Sequence, residues 1–256
     1  MAQIKTAPFL GRNSGWKRVF LQRQRPMRAF RDDPLPDFVG ELGKKAAGVL
    51  AARNLSANDV LIKYGKPEHM AALFERGAMR VQSASYYGQP GHNGAVGDDE
   101  LSLALSLSLS REQILKVVVN PQDVPETVVD QRMDLSYRSD RDYWLYCVTH
   151  SVEPRLFVDF GAAACVIIKN PRAFKWRLQG CGSRFAGTNY HEGAATYIDP
   201  LLPSSGKIFI PFAKHFRFAY QREFRFVWRP QEKLDNLDYV DLEIGSLEDI
   251  GELVIL

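Results

Sequence analysis

Cysteine is scarce in this chain and poorly spaced: Cys147, Cys165 and Cys181 are odd in number and form no Cys-x-x-Cys pair. That excludes a disulfide framework and points to a reducing compartment, the cytoplasm. The five histidines, His69, His92, His150, His191 and His215, lack metal-ligand spacing, so no structural or catalytic metal is expected. No apolar run approaches bilayer-spanning length, and the opening "MAQIKTAPFL" lacks the charged start and long apolar stretch of a secretory signal. A membrane partner is therefore not expected. Acid is missing from residues 1–31, which carry Lys5, Arg12, Lys17, Arg18, Arg23, Arg25, Arg28 and Arg31. The overall charge of +3 thus hides a basic arm on a body of −5. Such an arm suits an anionic partner, RNA or DNA above all.

What is present is globular: 256 residues, 45% of them hydrophobic, enough for one sizeable core. Residues 1–40, closing on the proline-punctuated "DDPLPD", read as an extension or linker, and 41–256 as a single domain. Residues 41–53 have helical spacing. "KPEHMAALFERG" reads as a helix, with Pro67 in the first turn, Met70, Leu73 and Phe74 on one face and Gly77 as the stop. Strands are expected at 59–65, 78–87, 101–110, 114–119, 142–149, 155–160, 164–169, 207–212, 237–244 and 252–256. Residues 179–206 read as a long loop. Early helices followed by many strands make an α+β fold.

"YQREFRFVW", residues 220–228, is the most informative strand. Alternation puts Phe216, Phe218, Tyr220, Phe224, Phe226 and Trp228 on a core face. Gln221, Glu223 and Arg225 share the other face, either solvated or flooring a cleft. Lys63, inside the apolar "DVLIKYG", also calls for an explanation, because an interior lysine needs an acidic or anionic partner. "DFG" at 159–161 carries no kinase reading, since the Gly-rich loop, "HRD" and "APE" are missing. Gly-x-Ser-x-Gly is absent as well, which argues against a hydrolase triad.

The order of Lys63-Tyr64 on an early strand, "SAS" at Ser83–Ser85 with Tyr86 and Tyr87 after it, and Gln221-x-Glu223 on a late strand resembles the ADP-ribosyltransferase fold. The layout "KYG…FERGAMRVQSASYYGQP…DDELS…YQREFRFVW" is also similar to bacterial toxin and phage-defence proteins that share a Lys-Tyr start and a Glu-aromatic-Arg end. The resemblance spans roughly residues 59–229. It implies a strand-rich two-sheet α+β core that uses NAD as substrate without a metal. Glu223 would then stabilise the oxocarbenium-like transition state, and Gln221 would position the acceptor. Lys63, Tyr64, Ser83, Ser85, Tyr86 and Tyr87 would form the NAD pocket, with Tyr86 or Tyr87 stacking on nicotinamide. The sequence departs from the pattern at Lys63, where the Ser-x-Ser branches usually carry arginine; Arg53 or Arg80 are the alternatives for gripping the phosphates.

The resemblance implies a mono-ADP-ribosyltransferase or NAD glycohydrolase of toxin or defence type, acting on a protein or nucleic-acid acceptor, with an antitoxin as a candidate partner. The other reading is a non-catalytic nucleic-acid-binding or partner-binding protein on the same fold. Deleting residues 1–31 is expected to leave the body folded and to weaken nucleic-acid binding. The measurement is affinity against salt for the full-length and truncated proteins; equal affinities with equal salt slopes would remove the arm from any nucleic-acid role.

Overall fold

The computed structural model describes residues 3–6, 40–53, 55, 59–90, 98–112, 115, 122, 130–199, 208–234 and 237–256. The basic arm beyond Thr6, the linker and most of the expected strand at 114–119 lie outside them. In chain order the elements are β1 (Gln3–Thr6), α1 (Gly40–Ala51), β2 (Leu61–Gly65), α2 (Pro67–Arg76), β3 (Ala78–Ser83) and the single turn α3 (Ala84–Tyr87). There follow β4 (Ser102–Ser110), β5 (Asp130–Arg138), β6 (Trp144–Thr149), α4 (Arg155–Asp159), β7 (Ala164–Ile168) and α5 (Pro171–Gly180). The remainder is β8 (Thr188–Ala194), β9 (Thr196–Ile198), β10 (Ala213–His215), β11 (Glu223–Pro230), β12 (Val240–Glu243) and β13 (Gly251–Ile255). The fold is mixed α+β, and its strands are antiparallel except for the short β9–β10 pair.

An eight-stranded sheet runs β12-β3-β6-β2-β7-β13, with β11 and then β8 added on β6. β7 is buried along its whole length because both of its faces are covered. Ala164, Val166 and Ile168 join the principal core, which is closed by α2 and α5 and includes Phe226 and Trp228 of β11. Cys165 and Ile167 face the opposite way, onto Ala46 and Leu50 of α1 and Leu156 and Phe157 of α4. A third cluster on that side joins Ala84, Tyr143, Leu145 and Val227. A separate three-stranded sheet, β1-β5-β4, includes Gln3–Thr6, so deleting the whole arm also removes one strand. Among the described residues no helix is long and apolar enough to cross a membrane.

Several expected strands turn out otherwise. Residues 155–159 are the helix α4, because Leu156, Phe157 and Phe160 satisfy a helical face as well as an alternating one and Arg155 pairs with Asp159 one turn on at 2.9 Å. Residues 84–87 curl into α3, where Asp142 accepts from the Ser85 N–H at 3.2 Å. Residues 210–212 form a 3-10 turn around Pro211, which has no N–H for a ladder. The supposed loop contains β8 and β9; β8 is fully paired with β11 only along one edge, and its half-exposed side chains blur the apolar alternation. The aromatic strand begins only at Glu223. Phe216–Gln221 is a 3-10 helix capped by His215, and Arg222 takes the left-handed conformation at φ 45°, so Phe216 is left half exposed.

The expected α2 is present with both its signals. Gly77 closes it at φ 66°, its N–H reaching Ala72 and Leu73. A Cβ at Gly77 would overlap the Gly245 carbonyl and the Ile244 side chain, whereas one at Gly48 of α1 would meet nothing within 4 Å. Gly77→Ala is expected to lower unfolding stability by about 2–4 kcal/mol. Gly48→Ala is expected to be neutral or stabilising by up to about 1 kcal/mol. Urea denaturation of the two variants checks the contrast.

Candidate active site

β6 is the floor of the site. One of its edges pairs with β11 along its whole length, Glu223 opposite Thr149 through Trp228 opposite Trp144. The other edge takes two partners: β3 at its start, with Ser83 opposite Trp144, and β2 at its end, with Ile62 opposite Thr149. Between those short pairings β2 and β3 diverge, linked by α2, and the sheet forks. Lys63 spans the fork, its Nζ donating to the Cys147 carbonyl at 2.7 Å and lying 4.5 Å from the centre of the Tyr146 ring. Burial lowers the Lys63 pKa, a shift only partly opposed by Cys147 and Glu223.

Next to the fork is a buried quartet of charges. Glu223 and Arg225 are on β11, Lys214 is on β10, and Glu100 stands two residues before β4. Glu223 Oε1 accepts from Lys214 Nζ at 2.5 Å, and Oε2 from Arg225 Nε at 2.9 Å. Glu100 Oε1 accepts from Arg225 Nη2 at 3.1 Å, its Oε2 lies 2.8 Å from the same nitrogen, and Oε1 lies 3.5 Å from Lys214 Nζ. The fully buried Arg225 also donates to the Pro211 carbonyl at 3.0 Å. Two acids thus balance two bases in a buried site.

The two carboxyls are driven apart in acidity. Burial would raise Glu223, but the charges and hydrogen bonds of Lys214 and Arg225 outweigh it and hold the group at about 2. For Glu100 burial prevails over Arg225 and Lys214, with Glu223 adding to it, and the pKa rises. Burial would lower Lys214, yet Glu223 and Glu100 raise it, so the ammonium stays charged.

The quartet borders an inner cavity of about 200 Å³. It lies between the second and third apolar clusters, with Tyr64 and Phe160 on one side and Tyr87 and Leu145 on the other. An outer cavity of about 1020 Å³ opens between β2, α2 and β3, walled by Lys63, His69, Arg80, Tyr86 and Arg184. Lys63 and Tyr64 border both.

Of the residues singled out in the sequence, Lys63, Tyr64, Tyr87, Gln221 and Glu223 meet at the inner cavity. Gln221 is fully buried and is fixed in place by Thr149, whose hydroxyl donates to the Gln221 carbonyl and accepts from the Ser151 N–H at 2.8 Å. Tyr64 is held by the Ser151 carbonyl at 3.0 Å and the Phe157 ring at 4.8 Å. Tyr86 faces the outer cavity. Ser83 and Ser85 line neither one. Ser85 donates to Asp142 at 2.6 Å and lies 3.1 Å from the Ser83 hydroxyl, so the pair anchors the turn that presents the tyrosines. Arg53 is bound to Glu252 at 2.7 Å, away from both cavities, whereas Arg80 walls the outer one while paired with Asp241 at 2.8 Å.

Glu100, Lys214, Cys147 and Thr149 were not singled out by sequence. Lys214 carried a signal of the same kind as Lys63, a lone cation inside the apolar run "IFIPFAKHF".

Lys214→Met leaves two carboxylates sharing one guanidinium, and the expected loss is about 3–5 kcal/mol. Adding Glu223→Gln is expected to cost less than the sum of the two single changes, because the second removes the charge that the first strands. Denaturation of the single and double variants gives the coupling.

Comparison with protein-family models, with curated proteins and with solved structures finds no match to this chain.

Proposed function

We propose that this chain cleaves NAD at the nicotinamide–ribose bond, as a mono-ADP-ribosyltransferase or NAD glycohydrolase of toxin or defence type. One observation carries the reading: Lys63, Tyr64, Tyr87, Gln221 and Glu223, spread over three separate segments, converge on a small cavity at a forked sheet. Tyr64 and Tyr87 offer aromatic surface to a flat cationic ring. Glu223, kept ionised by Lys214 and Arg225, places a fixed negative charge where positive charge develops on the ribose as nicotinamide leaves. Its two oxygens keep lone pairs beyond those used by the two cations, so a ribose hydroxyl can still be accepted. Gln221, two residues earlier, lines the same cavity, where it would position the acceptor. The outer cavity, with Lys63, Arg80 and Arg184 on its wall, has room for the diphosphate and adenosine.

The engagement of both Glu223 oxygens also favours a second reading, in which the quartet is structural and the chain is a binding protein on this fold. NAD carrying label in its ADP-ribose half, incubated with the protein and a lysate, separates the two: label entering protein, nucleic acid or free ADP-ribose supports catalysis. Glu223→Gln is expected to reduce turnover about a hundredfold or more. Tyr87→Ala is expected to raise KM more than it lowers kcat. A folded Glu223→Gln protein that releases nicotinamide at the wild-type rate would leave Glu223 a structural role only.

A further inference from the structure

The quartet holds a second carboxyl that the proposed reaction has not used. Glu100 lines the same inner cavity as Glu223, and Nη2 of Arg225 lies 2.8 Å from a Glu100 oxygen and 2.9 Å from a Glu223 oxygen. Two carboxyls that share one cation stand within a few ångströms of each other, and both border one small cavity. Departing nicotinamide requires no acid, because the electron pair of the breaking bond neutralises its pyridinium nitrogen. An attacking hydroxyl, by contrast, must lose a proton.

We propose that Glu100 is the proton acceptor of this site, and that the acceptor it serves is water or a small hydroxyl compound. The inference rests on the NAD-cleaving reading above. The bond between C1′ of the ribose and nicotinamide breaks, with its electron pair leaving on nicotinamide. The oxygen of water then bonds to C1′ while its proton passes to Glu100, which afterwards releases it to solvent. The products are ADP-ribose, nicotinamide and one proton. A cavity of about 200 Å³ walled by Tyr64, Tyr87 and Phe160 suits a small nucleophile better than a bulky side chain.

The environment fits this division of labour. Facing Glu100 are Arg225 and Glu223 of β11, Lys214 of β10 and Cys147 of β6, together with Tyr87 and Tyr143, and Asp98 on its own segment. Burial raises Glu100, while Lys214 and Arg225 hold Glu223 at about 2. Environments that separate two carboxyls in this way assign the ionised one to charge stabilisation and the more basic one to proton transfer. Activity should therefore rise with pH through a limb set by Glu100, above the ordinary carboxylate range, while Glu223 is already ionised.

The test is nicotinamide release from NAD across pH by wild type, Glu100→Gln and Glu100→Asp, with and without sodium azide. Azide attacks carbon without needing to lose a proton. Loss of about a hundredfold or more in Glu100→Gln, disappearance of the acidic limb and recovery by azide with an ADP-ribosyl azide product are expected. Should Glu100→Gln fail to fold, Glu100→Asp keeps the charge but withdraws the carboxyl, and a loss of tenfold or more with azide recovery is expected. Wild type that leaves NAD intact overturns the NAD-cleaving reading and this proposal with it. Active wild type alongside a folded Glu100 variant that keeps its rate and limb, or that loses rate without azide recovery, overturns this proposal alone.

Discussion

Four buried charged side chains from three segments of the chain, Glu100, Lys214, Glu223 and Arg225, close on one another. Taking each of them out of water is costly, and their mutual attraction compensates only while all four are present in good geometry. That condition ties the start of β4, the short β10 and the first turn of β11 to one arrangement. It also fixes part of the wall of the inner cavity, because Glu100, Lys214 and Glu223 line it and Arg225 is paired with both carboxylates. Replacing such a network by apolar groups of the same volume can be neutral, whereas removing one member strands a buried charge.

β11 separates two tasks by the simple alternation of a strand. Phe224, Phe226 and Trp228 go into the principal core, where Trp228 stacks on Phe185 at 4.3 Å. Glu223 and Arg225 go to the other side, where Glu223 lines the inner cavity and Arg225 is buried beside it. The rings anchor the strand against β6 and β8, so the charges opposite them sit on a rigid element.

Much of this was legible in the sequence. The Pro67 and Gly77 signals bounded α2, the apolar runs located β2, β6 and β7, and alternation put Glu223 and Arg225 on the face away from the rings. Lys63 stood out as a buried cation in need of a partner, and its partner is a backbone carbonyl rather than an acid. What escaped has identifiable causes. α4 was hidden because five residues with apolar neighbours fit either period. β5 and β8 present too little apolar alternation to register. Glu100 and Arg225 are 125 residues apart, and no local pattern announces a contact of that range. The serines at 83 and 85 do approach the site, but through the turn they brace rather than by lining a cavity.

The reach of Lys63 across the fork has a mechanical side. At the mouth of the fork β2 and β6 are joined by one residue pair, Ile62 with Thr149, and just beyond it by the lysine's single hydrogen bond to Cys147. Two neighbouring strands ordinarily separate only by breaking a ladder of backbone bonds, each with its own geometry. Here the span nearest the cavities is a latch on a flexible four-carbon stem, which can swing aside by rotating side-chain torsions alone. The wall that the two cavities share at Lys63 and Tyr64 is therefore held by fewer backbone bonds than a fully laddered pair of strands would supply.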